Sequence, residues 1–178
     1  MPIFLTKYCC WILGVLGILT LNMAIISASA SEYEFELLNQ KDGFASSIIF
    51  SIVQDKSGFI WFGTGYDGIM RYDGKNIVRY EHDLRDPYSL PHNNAGNISL
   101  DKEDNLWIGS WGGGALRYNQ QSQEFSQFLL ELEPNRRRSN RVQIIFEDKQ
   151  GIVWLGSGDN GLYKYNPGSQ DFRRLAVN

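Results

Sequence analysis

One stretch, Asp55-Lys-Ser-Gly58-Phe-Ile-Trp61-Phe-Gly63, returns as Asp101-Lys-Glu-Asp104-Asn-Leu-Trp107-Ile-Gly109 and again as Asp148-Lys-Gln-Gly151-Ile-Val-Trp154-Leu-Gly156. Each copy runs on to a glycine at the same offset (Gly68, Gly114, Gly161) and then to a tyrosine (Tyr72, Tyr118, Tyr165). The tryptophans recur at intervals of 46 and 47 residues. A period in that range means propeller blades or a helical solenoid. No copy keeps apolar residues at i, i+3, i+4, i+7 long enough for a repeat helix. Each instead holds short apolar runs bounded by Gly, Asn, Asp and Ser, as strands do. The unit is a blade and the fold class is all-β.

In the first copy the runs Ile48 to Val53, Phe59 to Phe62, Ile69 to Tyr72 and Ile77 to Tyr80 predict four antiparallel strands. Three such blades are expected within 44–178, at about 44–82, 90–130 and 138–176. The second strand is apolar on both faces in every copy, which suits a sheet covered from both sides by its neighbours. Asp55, Asp101 and Asp148 are expected to accept hydrogen bonds from the backbone of the turn that follows. Gly58, Asp104 and Gly151 suit a left-handed residue at the end of that turn.

Ahead of the first copy, Tyr33-Glu-Phe35-Glu-Leu37 alternates apolar and acidic residues. Phe35 precedes Asp55 by the same 20 residues that separate Phe128 from Asp148, so segment 31–43 reads as a lone fourth-position strand able to close a ring. Three copies are fewer than the 4–8 blades of a closed propeller. The chain ends just after the fourth strand of its third copy, Phe172 to Leu175. The expectation is an incomplete propeller, the N-terminal piece of a longer protein with further blades downstream.

Residues 1–30 carry Lys7, an apolar run from Tyr8 to Ile26, and an Ala28-Ser29-Ala30 ending. This is the pattern of a secretory signal cleaved before Ser31, with an uncleaved membrane anchor as the alternative. Either way residues 31–178 belong outside the cytoplasm, in the periplasm, and touch the membrane only through this segment or a missing C-terminal part. Cys9 and Cys10, the only cysteines, lie inside the signal, so the mature part has no disulfide. A net charge of −3 gives no footprint for nucleic acid. The one basic run, Arg136-Arg137-Arg138 with Arg141, falls between blades beside Glu131 and Glu133 and reads as a solvated connection.

The run Ile52-Val-Gln-Asp55-Lys-Ser-Gly58-Phe-Ile-Trp61-Phe-Gly63-Thr64, followed by Gly68-Ile-Met-Arg-Tyr72-Asp73-Gly74, resembles the two-component regulator propeller repeat. Ser89-Leu90 before Asn93-Asn94 is similar to that family's lead-in to a blade. The resemblance covers roughly residues 44–175. It implies the extracytoplasmic sensor region of a bacterial membrane receptor, followed by more blades, a small β-sandwich, a transmembrane helix and an output domain. That output is a histidine kinase, often hybrid, or alternatively a diguanylate cyclase. Asp104 in place of a glycine, Ser99 in place of an apolar strand residue, and Trp111 inside a loop make blade 2 the least regular copy. Sialidase-type Asp boxes and quinoprotein tryptophan repeats place aspartate and glycine at other spacings.

Two segments, Gly63-Thr-Gly65-Tyr-Asp-Gly68 and Gly156-Ser-Gly158-Asp-Asn-Gly161, satisfy the G-x-G-x-x-G pattern. Neither opens a helix, so neither can offer the helix N-terminus on which dinucleotide binding depends. The Gly112-Gly113-Gly114 run lacks the acidic residues of a cyclase. His82 and His92 stand apart from any carboxylate cluster. No nucleophile, base and orienting group can be assembled, and no cofactor or metal site is expected. Tyr66-Asp67, Trp111-Gly112-Gly113 and Asp159-Asn160 occupy equivalent loops between second and third strands, expected at one rim. Tyr66, Asp67, Trp111, Asp159 and Asn160 are therefore the candidate contacts for an unknown small-molecule or carbohydrate signal. Turn chemistry alone also accounts for Asp, Asn and Gly there.

The expected function is a non-catalytic, ligand-sensing segment of a two-component receptor, partnered by downstream blades and output domains. An exported carbohydrate-active propeller and a partner-binding propeller are the rivals. Mass spectrometry of material secreted by the expressing cell should find an N-terminus near Ser31. Recovery of only full-length cytoplasmic chain would contradict export.

Overall fold

A computed structural model of the chain describes residues 35, 37–39, 41, 43–44, 48–130 and 140–175. The signal segment and Arg136 to Arg138 lie outside the described residues. The chain divides into two compact units, 1–37 and 38–178. In the first, Phe35 and Leu37 are exposed and belong to no strand. The rest of the Tyr33 to Leu37 alternation lies outside the described residues.

The second unit contains twelve strands among the described residues. They form three antiparallel sheets in simple sequential order, four strands each. The first sheet is β1 (Ile49–Gln54), β2 (Ile60–Thr64), β3 (Ile69–Tyr72) and β4 (Ile77–Tyr80). The second is β5 (Asn97–Leu100), β6 (Leu106–Ser110), β7 (Gly114–Asn119) and β8 (Glu124–Phe128). The third is β9 (Val142–Glu147), β10 (Val153–Ser157), β11 (Gly161–Asn166) and β12 (Asp171–Arg174). The described residues are all-β, an incomplete propeller of three four-stranded blades.

The repeat motif builds one device three times. Between first and second strands the backbone reverses through Asp55, Asp101 and Asp148, whose carbonyls accept the N–H of Gly58, Asp104 and Gly151 at 3.0 Å in each blade. Those three residues have φ of 91°, 70° and 83°, the left-handed region. One carboxylate oxygen of each aspartate accepts a backbone N–H four residues on, from Phe59 (2.9 Å), Asn105 (2.7 Å) and Ile152 (3.0 Å). The other accepts the indole N–H of the motif tryptophan, at 2.8 Å for Trp61, 2.8 Å for Trp107 and 2.6 Å for Trp154. An indole sunk in an apolar layer must find a partner for its N–H, and the turn aspartate supplies it.

On the third strand a cation faces each tryptophan across the ladder: Arg71 opposite Trp61, Arg117 opposite Trp107, Lys164 opposite Trp154. The guanidinium of Arg71 lies 4.6 Å from the Phe59 ring centre and 5.6 Å from that of Trp61, and Arg117 lies 5.5 Å from Trp107. Sequence reasoning passed over these residues. Their signal was a basic residue immediately before each motif tyrosine.

The core lies between blades. Trp61 meets Tyr118 of the next blade at 5.3 Å between ring centres, and Trp107 meets Tyr165 at 5.0 Å. Tyr80 stacks on Trp61 from the fourth strand of the same blade, and Phe128 meets Trp107 at a tilt. Burial, and then the hydrogen bond that the Tyr118 hydroxyl shares with Tyr80, raise the Tyr118 phenol well above its usual range, so it stays neutral. Gly63 shows why its position takes no side chain, since a Cβ there would sit 2.5 Å from the carbonyl oxygen of Gly96 in blade 2. Ser51 Oγ donates to that carbonyl and accepts from Ile98 N–H, and in the next blade Asn97 Oδ1 accepts from Ile145 N–H at 2.7 Å. At the turn end, Lys56 Nζ donates to the carbonyl of Lys102, and Lys102 Nζ to that of Lys149.

Trp61 and Trp107 are 0% and 2% exposed, whereas Trp154 is only partly buried and meets no aromatic ring among the described residues. Trp61→Ala and Trp107→Ala should each cost about 3–5 kcal/mol in chemical denaturation. Trp154→Ala should cost distinctly less, and equal losses at all three would refute this account of the packing.

The indole N–H of Trp154, then the N–H of Ile152, hold the Asp148 carboxyl below its usual value. A group whose pKa is depressed by folding stabilises the folded state above its unfolded pKa of about 3.9. That contribution is lost as pH falls through the lower folded value. The urea midpoint should therefore fall between neutrality and strong acid, and Asp148→Asn should fall less steeply.

Candidate functional site

The loop that joins second to third strand opens on Gly65, Trp111 and Gly158 in the three blades. Each is tied by its N–H to the carbonyl that leads into its own blade: Ile48 at 3.2 Å, Asn94 at 3.1 Å and Arg141 at 3.1 Å. A hydroxyl at the end of the second strand folds the loop. Thr64 Oγ1 accepts Asp67 N–H and donates to the Gly68 carbonyl, both at 2.9 Å. Ser110 Oγ accepts Gly113 N–H, and Ser157 Oγ accepts Asn160 N–H at 3.2 Å. Both G-x-G-x-x-G segments thus turn from strand to strand.

The five candidate contacts divide by environment. Tyr66 is exposed and Asp67 half-buried in blade 1. Asn160 is 1% exposed, and its amide donates to Asp159 Oδ1, which also accepts the Ser157 hydroxyl. Trp111 is 40% exposed and pairs across blades with Arg141, whose guanidinium carbon lies 3.8 Å from the centre of a Trp111 ring. The loop arginine is thus a packing partner of the loop tryptophan.

Trp111 is also the one candidate of the five that lines a cleft of about 290 Å³, with Phe50, Asn94, Gly96, Asn97 and Gln143. Those residues come from all three blades. Asn94 is 8% exposed, and its Oδ1 is buried without a hydrogen-bond partner. Sequence reasoning missed this cluster, although it left a trace. Phe50, Gly96 and Gln143 share one repeat position and Gly65, Trp111 and Gly158 another, and blade 2 exchanges large for small at both.

The histidines serve their loops. His82 Nδ1 bonds the Leu90 carbonyl at 2.7 Å, and His92 Nδ1 accepts Asn94 N–H at 3.0 Å. Among the described residues no three of His, Cys, Asp and Glu converge on a point that could hold a metal ion.

The family model for the two component regulator propeller matches residues 43–66, 89–112 and 137–159, one match to each sheet. The three blades are two component regulator propeller repeats. Histidine kinase P4 of Formosa agariphila is 30% identical over 75 residues, covering 41% of this chain and 6% of that protein. The extracellular domain of the putative hybrid two component system BT3049 from B. thetaiotaomicron superposes with a TM-score of 0.68 at 24% identity, over 79% of this chain and 20% of that one. Virginiamycin B lyase from Staphylococcus aureus superposes with a TM-score of 0.54 at 18% identity, over 82% of this chain and 45% of that one. At such identities the two structural likenesses establish the fold. This chain of regulator propeller repeats spans a small part of the relatives it matches.

Proposed function

We propose that this chain is the extracytoplasmic, ligand-sensing propeller segment of a bacterial two-component receptor, itself non-catalytic, that passes its signal to a cytoplasmic histidine kinase. The carrying observation is the regulator propeller repeat itself, present three times in register and stacked into blades. The short identity with a histidine kinase supports that output over a cyclase. The Lys7 to Ala30 pattern and the likeness to an extracellular domain support placement outside the cytoplasm. In this reading the blades bind and the chemistry lies in other domains.

A chromosomal in-frame deletion of residues 89–130, which removes blade 2, tests the reading against an exported enzyme. A receptor predicts that a confined set of transcripts stops responding to its inducer while secreted glycan-degrading activity of uninduced cells is unchanged. Lost secreted activity with every transcriptional response intact would overturn the proposal.

A further inference from the structure

We propose that the outward face of blade 3 docks a further blade of this repeat through a seam unlike the other two junctions. The seam is clipped at both ends, aliphatic in the middle, and without a side-chain hydrogen bond to the incoming inner strand. The face is contiguous. Ile144 pairs with Gly156 and Gly156 with Leu162, whose carbonyl accepts the N–H of Leu175, while Phe146 pairs with Trp154. Ile144, Phe146, Leu162 and Leu175 are 52%, 45%, 43% and 39% exposed. At the position of Leu162, blades 1 and 2 carry Ile69 and Ala115, both buried in the cores between blades. A joined apolar surface of this kind marks an interaction site.

The two ends of the sheet say what covers it. At the turn end, Lys56 Nζ donates to the Lys102 carbonyl and Lys102 Nζ to that of Lys149, and Lys149 repeats their position. At the loop end, Gly68 N–H donates to the Asn93 carbonyl at 2.8 Å and Gly114 N–H to that of Asn140 at 2.9 Å. Each of these acceptors lies in the lead-in to the following blade. Gly161 holds the same left-handed conformation, φ of 85° against 69° and 77°, but is exposed. Among the described residues neither Lys149 Nζ nor Gly161 N–H reaches a carbonyl of another blade. Two backbone carbonyls at opposite ends of one sheet are what a repeat blade supplies and what a lipid surface does not. Blade 1 of a second copy fits poorly, because its incoming face is already covered: Phe62 and Met70 are buried, and Phe62 meets Phe44 edge-on at 5.0 Å.

The middle of the junction differs in kind. Ser51 in blade 1 and Asn97 in blade 2 accept the N–H of Ile98 and Ile145 from the next inner strand. Ile144 stands at that position in blade 3 and has no acceptor to offer. Leu175 likewise replaces the ring, Tyr80 or Phe128, that lies against the motif tryptophan in the other blades. An incoming blade of the usual kind leaves one inner-strand N–H unmet here, so this is where the stack parts most easily.

The probe is the full chain extended after Asn178 by a copy of residues 89–130, whose Asn93 and Lys102 carbonyls can fill both clips. In hydroxyl-radical labelling read by mass spectrometry, Phe146, Leu162 and Leu175 should lose most of their labelling on extension, while Leu84 in its exposed loop should not change. Lys149→Met should restore labelling in the extended chain. Ile144→Asn should slow amide exchange of the appended copy of Ile98 about fivefold or more, by giving its N–H an acceptor. Unchanged labelling of the face, both with this extension and with one copied from residues 138–178 in its place, would overturn the docking. Protection of the face that is indifferent to either substitution would overturn the seam. A chain without extension that already sediments as a dimer with the face protected, or that phosphatidylglycerol vesicles protect, would assign the face to a second copy or to lipid and overturn the proposal.

Discussion

Everything in this molecule hangs on a carboxylate that faces two ways. In each blade the motif aspartate closes the turn between the first two strands with one oxygen and holds the indole of the second strand with the other. The indole is thereby fixed in orientation as well as in depth. A fixed ring is what the next blade needs, because Tyr118 or Tyr165 packs against it at a set angle. Aromatic pairs of this kind contribute about 0.5–1.5 kcal/mol beyond the area they bury. The tryptophan's own burial is larger, so the carboxylate acts mainly by positioning it.

Blade-to-blade coupling follows from that arrangement and makes the stack nearly one-dimensional, each blade leaning on its neighbours. Blade 2 illustrates the consequence. By sequence it departs most from the repeat, yet every residue of β6 is buried, while β10 in the third blade is only partly so. Cover on both sides outweighs local irregularity. Asp104, the substitution for glycine, tolerates its left-handed φ of 70° and also accepts Lys56 N–H from blade 1. The departure thus becomes a contact between blades.

The functional surface is set by a different logic. Residues chosen for loop chemistry spend themselves on the loop: Asp159 and Asn160 bond each other, and Asp67 is held by Thr64. Trp111 stands apart because its loop position is occupied by glycine in the other two blades. What surrounds it comes from Asn94 and from lead-in strands that lie 45 to 48 residues apart when they bond across blades. Such distances in sequence hide the cleft from any local pattern.

The amino-acid sequence by itself determined the all-β class, the blade unit, the order of strands within each sheet, and the left-handed turn positions. Those features arise from side-chain period, turn chemistry and glycine placement, all of which act within a few residues. It could name Trp111 as unusual for the same reason. Only the tertiary structure decided that the turn aspartate also binds the indole, that the basic residue before each tyrosine faces the tryptophan, and that Arg141 packs on Trp111. It alone joined Phe50, Asn94, Gly96, Asn97 and Gln143 around one cleft. The physical reason is that these groups become neighbours only when blades stack, and stacking is driven by the burial of rings whose partners lie a whole repeat away.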